Sequence, residues 1–506
     1  MNKMILGLII FIAVLTLAGL GEATPLQAEA SRSWMAMQVN LQGETKIDPA
    51  LETRLASAQP GEKIPVIVTL KAKADLSNIG GPDRQARLKG VIRALQAIAE
   101  ASQRDVRSLI ETRMAQELVS QVTYFWVFNG LSVAAAPEVI EELAARPDVL
   151  KITPDEITVE PEAGLAVSAP QPNLAIVNAP ALWDLGFYGQ GIVVASMDTG
   201  VDVNHPELYM RWRGGSNSWF DPYGQHPDTP MDLSGHGTQS MGVIVGGDAS
   251  GTSIGVAPQA QWIAVKIFDD SGTATATAIH QGFQWLLNPD GHINTADAPH
   301  VVNNSWTFAY PGCDLEFEQD LLALQAAGIL PVFAAGNGGP NVATSYSPAN
   351  NPSAFAVGGT DGSDNIYLYS SRGPSNCGET EKIYPELVAP GVGIYTTDRY
   401  GQYTFTSGTS SSAPHVTGGI ALLLTSFPNL SAYEQSAALV NSAFDLGLNG
   451  PDNTFGYGRL DLLAAYQLVQ SGPLPTPTPD SSVNLAVNKL VDVSSYQDTA
   501  HTGDQA

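Results

Sequence analysis

Cysteine is nearly absent: Cys313 and Cys377 are the only two in 506 residues, too few for a disulfide-stapled scaffold or a four-thiolate zinc site. Basic residues are also scarce, with 24 Lys and Arg against 50 Asp and Glu and a formal charge of -26. That balance repels phosphate backbones and anionic lipid, so nucleic acid is excluded as a natural partner. Charged residues make up 15% of the chain and hydrophobic ones 44%, a ratio that excludes wholesale disorder. Glycine and proline are plentiful but follow no period, which excludes collagen and fits a loop-rich globular protein. At ~150 residues per domain the length suggests about three domains.

Only one stretch is apolar enough for a membrane. Lys3 precedes an apolar run from Met4 to Leu20, followed by the small-residue exits Gly21-Glu22-Ala23 and Ala28-Glu29-Ala30. This predicts a secretory signal peptide over residues 1–30 and a secreted, extracellular protein with no stable membrane insertion after cleavage. An uncleaved anchor is the alternative reading of the same run. Export makes Cys313 and Cys377 eligible to oxidise, and a disulfide between them is expected.

Residues 45–158 read as a small α+β module. Ile64 to Leu70 is strand-like, with Pro65 near an edge or a strand start, and Asp83 to Ser120 carries the apolar spacing of one long amphipathic helix. Val122 to Phe128 and Leu131 to Ala134 flank Asn129-Gly130, a hairpin signal; a helix over Pro137 to Ala145 and a strand over Val149 to Thr153 follow. The order β-α-β-β-α-β is ferredoxin-like. Residues 170–468 change to apolar strands, Ile192 to Met197, Ile263 to Phe268, Val301 to Ser305 and Ile329 to Ala334, alternating with helical segments. That pattern predicts an α/β domain with a doubly wound, mostly parallel sheet. A Pro/Thr linker occupies 471–480, and 483–506 is a tail or the start of a truncated domain.

In such a sheet reactive groups collect at the carboxyl ends of strands, where Asp198 ends the first one in Met197-Asp198-Thr199-Gly200. His236 lies in Ser234-Gly235-His236-Gly237-Thr238, whose glycines permit close backbone approach. Ser410 lies in Gly408-Thr409-Ser410-Ser411-Ser412-Ala413-Pro414-His415, at the start of an apolar helix. Taken singly, Asp198 also fits a turn cap, Ser410 an N-cap and Asn337 a turn. An Asp, a His and a Ser in that chain order are a sharper signal.

The segments Asp198-Thr199-Gly200-Val201-Asp202, His236-Gly237-Thr238 and Gly408-Thr409-Ser410 with Ala413-Pro414-His415 resemble the hallmarks of the subtilisin-like serine proteases. Val302-Asn303-Asn304-Ser305-Trp306 and Pro331-Val332-Phe333-Ala334-Ala335-Gly336-Asn337 are similar to the bacillopeptidase F-like branch. The resemblance implies a serine endopeptidase acting on protein or peptide substrates, with Asp198, His236 and Ser410 as the triad and Asn337 as an oxyanion donor. It implies that substrate pairs with Gly272-Thr273-Ala274 and Ser305-Trp306-Thr307. Trp306 and Thr307 are bulkier than usual there, which puts a broad first subsite in doubt.

No cofactor is required for this chemistry. A structural calcium is implied only weakly, because Glu207 stands where a ligand Asp is common and the loop Asp248 to Ile254 lacks the expected Asn, so no metal ligand is assigned. The N-terminal module resembles the family's inhibitory pro-domain, with its cut within about Asp155 to Ala175. Asn484-Leu485-Ala486 with Ser494-Ser495 resembles the opening of a discoidin-like carbohydrate-binding sandwich. His415, about 140° around its helix from Ser410, is assigned a structural role, and His205 is read as a packed surface residue. The alternative function is a catalytically inactive homologue acting as a binding or adhesion module.

Overall fold

The computed structural model describes residues 46–161 and 172–474, apart from 78, 82, 158, 376, 378–381 and 473. The expected signal segment, the tail over 483–506 and most of the linker lie outside the described residues.

The N-terminal module contains α1 (Pro49–Ser57), β1 (Ile64–Leu70), α2 (Arg84–Ser102), α3 (Arg104–Ala115), β2 (Val119–Phe125), β3 (Gly130–Ala135), α4 (Pro137–Ala145) and β4 (Val149–Pro154). Its four-stranded antiparallel sheet has the order β2-β3-β1-β4, the ferredoxin-like arrangement. Pro65 is the exposed second residue of β1, a strand start on a central strand. The single helix expected over Asp83 to Ser120 is instead two, interrupted at Gln103. That side chain is fully buried, and its Nε2 donates to the Phe125 carbonyl at 2.7 Å and to Asn129 Oδ1 at 3.1 Å. The hairpin turn, Trp126 to Asn129, is longer than the two residues expected because this amide is built into it, with Asn129 at φ 56°.

After β5 (Val159–Pro161) come α5 (Pro172–Ile176), α6 (Ala179–Asp184), β6 (Val193–Asp198), β7 (Trp219–Phe220), α7 (His236–Val245), β8 (Gln261–Lys266) and α8 (Ala276–Leu287). Then follow β9 (Val301–Asn304), β10 (Trp306–Phe308), α9 (Glu318–Ala326), β11 (Leu330–Ala334), β12 (Phe355–Thr360), β13 (Leu387–Pro390) and α10 (Thr409–Ser426). Seven strands form one parallel sheet ordered β13-β12-β11-β9-β6-β8-β7. Alternate strand residues enter opposite cores: Val194 and Trp262 pack with α7 and α10, while Ala195 and Ile263 pack with α8 and α9. Both faces are therefore covered, as continuous apolar strands require. Strand order reverses at β6, which lies between β8 and β9, so Asp198 stands at the switch point.

The module shares the second of these cores. Ile67, Val91, Leu95, Phe125 and Phe128 join Ile279, Phe283, Phe317 and Leu321 in one buried cluster. Within it His280 packs against the Phe128 ring at 4.2 Å between centroids and is held by Asp320 Oδ2 at 2.9 Å and Glu316 Oε1 at 3.3 Å. Lys151 of β4 reaches Glu316 at 2.7 Å. Burial alone would lower the His280 pKa, but the two carboxylates overcome it and raise it to about 9. Against its own burial, Glu316 is held down at about 2 by Lys151 and His280.

Candidate active site

Asp198 is buried at the end of β6, where Oδ1 accepts the Thr199 N–H at 2.7 Å and pairs with His236 Nδ1 at 2.8 Å. His236 is the first residue of α7, after Gly235 at φ 101°. A side chain at Gly237 would stand 2.1 Å from the Gly200 carbonyl, so only glycine lets the two loops close to this distance. With Nδ1 donating to Asp198, Nε2 is the basic nitrogen. His236 and Ser410 line one narrow pocket, together with Ser240, Thr406 and Ser411.

A residue that the sequence reading missed holds these loops together. Asp232 is buried; Oδ1 accepts from Thr199 Oγ1 at 2.9 Å, Ser234 N at 2.9 Å and Gly235 N at 2.8 Å. Its Oδ2 accepts from Thr238 N at 2.9 Å and Thr238 Oγ1 at 2.6 Å. One carboxylate thus ties the Asp198 loop to the start of the His236 helix. The Asp-x-Ser-Gly spacing, typical of an Asx turn, was the available signal.

Ser410 is the second residue of α10, whose residues Thr409 to Leu424 are all buried. Its N–H lies in the first turn, where backbone donors lack helical partners and the helix dipole favours negative charge. Asn337 follows β11, and its Oδ1 accepts from Thr409 N at 3.0 Å and Thr409 Oγ1 at 3.2 Å. Those bonds fix the amide, and its buried Nδ2 has no hydrogen-bond partner among the described residues. An unspent donor beside the nucleophile is suited to a developing oxyanion.

The remaining expected residues fall into two groups. Ser305 lies against the site, donating its hydroxyl to the Ser410 carbonyl at 3.0 Å. Trp306 and Thr307 form part of β10, which pairs antiparallel with β5 in the register Trp306 to Pro161, Thr307 to Glu160 and Phe308 to Val159. The Trp306 ring is buried and packs edge-on against Phe317 and Phe333. Gly272 and Thr273 lie in a turn closed on Asp269, Ala274 is buried, and the next residue, Thr275, bridges to Glu156. Cys313 and Cys377 are bonded, with Cα atoms 4.9 Å apart.

The two histidines that could compete with His236, His415 and His205, are held by other groups. His415 is fully buried between the Ser411 carbonyl at 2.8 Å and Asn173 Nδ2 at 3.0 Å, and burial lowers its pKa to about 4. His205 is not a surface residue but fully buried, with Nε2 on the Gln402 carbonyl at 2.7 Å and Nδ1 accepting the Glu207 N–H at 3.1 Å. Glu207 accepts Ser250 N at 2.7 Å, Ala249 N at 3.2 Å and the Tyr403 hydroxyl at 3.0 Å. A carboxylate surrounded by donors does not fit a calcium ion, which needs oxygen acceptors.

Residues 189–458 match the subtilase family. Bacillopeptidase F of Bacillus subtilis (strain 168) is 34% identical, over 81% of this chain and 31% of its own length. The alkaline protease of Alkalihalobacillus alcalophilus is 34% identical, over 66% of this chain and 78% of its own. Subtilisin Savinase of Lederbergia lenta is 35% identical over 57% and 96% respectively. The chain thus spans about a third of the length of bacillopeptidase F but most of the length of the shorter relatives. With the fold, the strand-end site and these matches in agreement, the chain belongs to the subtilase family of subtilisin-like serine proteases.

Proposed function

We propose that the protein is a secreted serine endopeptidase made as a zymogen, with Asp198, His236 and Ser410 as its triad. The observation that carries the reading is the 2.8 Å pair of His236 Nδ1 with buried Asp198, set in the same pocket as Ser410. In the proposed reaction His236 Nε2 takes the Ser410 proton as Oγ adds to the scissile carbonyl carbon. Asp198 holds the ring in one tautomer and stabilises its cation. The Ser410 N–H and Asn337 Nδ2 stabilise the oxyanion, His236 returns its proton to the leaving amine, and water hydrolyses the acyl-enzyme by the same route.

The zymogen reading rests on the path of the chain after the ferredoxin-like module. Asp155 accepts the Thr277 N–H at 2.8 Å and the Thr277 hydroxyl at 2.6 Å, which caps α8. Glu156 then bridges to Thr275, and β5 adds to β10 as a substrate strand would. The module therefore serves as an intramolecular inhibitor in this proposal, and the cut falls beyond Pro161. The matched relatives named as proteases support a peptide substrate, and the apolar N-terminal run supports export. The test is labelling and peptide hydrolysis: the matured protein reacts with a fluorophosphonate and cleaves a casein-derived peptide, and Ser410→Ala does neither. Equal hydrolysis by both would overturn the assignment.

A further inference from the structure

The two walls of the cleft beside Ser410 come from neighbouring strands. Ser305 to Thr307 follow β9, and Gly336 to Gly338 follow β11. The first wall touches Ser410 through the Ser305 hydroxyl, and the second carries Asn337. A peptide that extends the β5–β10 register by one residue places that residue opposite Ser305, whose hydroxyl bonds the Ser410 carbonyl. Its side chain must then enter between the two walls. What lies there decides which side chains the enzyme cuts after.

A single ring lies against the second wall. A methyl group built on Gly336 or Gly338 would stand 2.6 Å or 2.7 Å from the ring of Tyr346. The ring therefore runs under both glycines that flank Asn337, filling room that their missing side chains leave. Tyr346 is half-buried, whereas its neighbours Ser345 and Ser347 are buried. Its loop is tied to the first wall as well: Phe308 N donates to the Ser347 carbonyl at 2.8 Å, and Gly312 N to the Ser345 carbonyl at 3.1 Å. Asp314 N donates to Ser347 Oγ at 2.8 Å, and Ser347 Oγ lies 3.7 Å from Cys377 Sγ, so the Cys313–Cys377 bridge sits beside this loop. The chain on either side of Tyr346 is thus held in place.

We propose that Tyr346 closes the floor of the first subsite, so that the enzyme cuts after short side chains and rejects aromatic ones. The inference rests on the serine-protease reading above and adds the class of residue accepted before the scissile bond. The chain's own stretch from 162 to 171 contains no aromatic residue, in keeping with a shallow subsite.

The experiment measures kcat/KM of the matured full-length protein on peptides identical except for Ala, Glu or Phe before the scissile bond. The wild type should cut after Phe at least about tenfold less efficiently than after Ala, the scale on which pocket size discriminates. Tyr346→Gly and, as a second variant, Tyr346→Ser should each raise the Phe-to-Ala ratio at least about tenfold, while Tyr346→Phe keeps the wild-type ratio. Because the readout is a ratio, a loss of folded protein does not move it. Efficient wild-type cleavage after Phe, or ratios unchanged in both opened variants, overturns the proposal while leaving the protease reading intact. Wild-type protein that neither reacts with a fluorophosphonate nor cuts any of the three peptides overturns the protease reading, and the subsite with it.

Discussion

Ser305 donates its hydroxyl to the carbonyl of Ser410 at 3.0 Å. That carbonyl is available because Pro414, four residues on in α10, has no N–H to give it. A proline inside a buried helix is ordinarily costly, yet here it frees an acceptor that the substrate wall then uses. The serine at the helix start and the cleft beside it are thereby fixed to one another. Ser305→Ala is expected to lower stability by about 1–3 kcal/mol, the scale for a buried acceptor left unsatisfied. Thermal denaturation of the Ser410→Ala background measures it, and an unchanged midpoint would show that the bond has no net value.

Asn337 Nδ2 is expected to act only when charge develops on the substrate oxygen. Asn337→Leu should lower kcat about 10²- to 10³-fold with little change in KM, a magnitude known from subtilisin itself. Steady-state kinetics on one peptide separates the two parameters. A rise in KM at constant kcat would assign Asn337 to ground-state binding instead.

Much of this arrangement was legible in the sequence because it is local. Glycine-flanked His236, strand-ending Asp198 and Ser410 before an apolar helix each carry a short pattern, and the strand-helix alternation fixed the parallel sheet. The features that were not legible depend on contacts between distant segments. Gln103 interrupts a helix whose apolar spacing runs straight through it, because its amide is required by the turn at Phe125 to Asn129. His205 reads as a packed surface residue, but it is fully buried because Gln402, almost two hundred residues later, takes up its Nε2. The contacts of the Trp306 ring with Phe317 and Phe333 likewise come from segments far from its own motif. Tyr346 carries no motif of its own, and only the glycines of another loop reveal where its ring lies.

The interface between module and protease domain should weaken in alkali. The His280 pKa is raised from 6.5 to about 9, so its protonated form is favoured in the folded chain. The stabilisation is complete below the unfolded value and is lost as pH rises through about 9. The Ser410→Ala protein, which keeps its module, should therefore melt at progressively lower temperature from about pH 6.5 to about pH 9. His280→Gln should flatten that decline. Parallel pH profiles for the two proteins would mean that other groups control it.

The most direct measurement of the central claim is maturation of purified, protease-free protein followed by mass and N-terminal sequence. The account predicts that the wild type loses its N-terminal module through a cut within residues 162–171, just past the strand paired with β10. It predicts that Ser410→Ala keeps the module attached under the same conditions. Maturation of the alanine variant at the wild-type rate would contradict the claim that Ser410, served by His236 and Asp198, is the nucleophile.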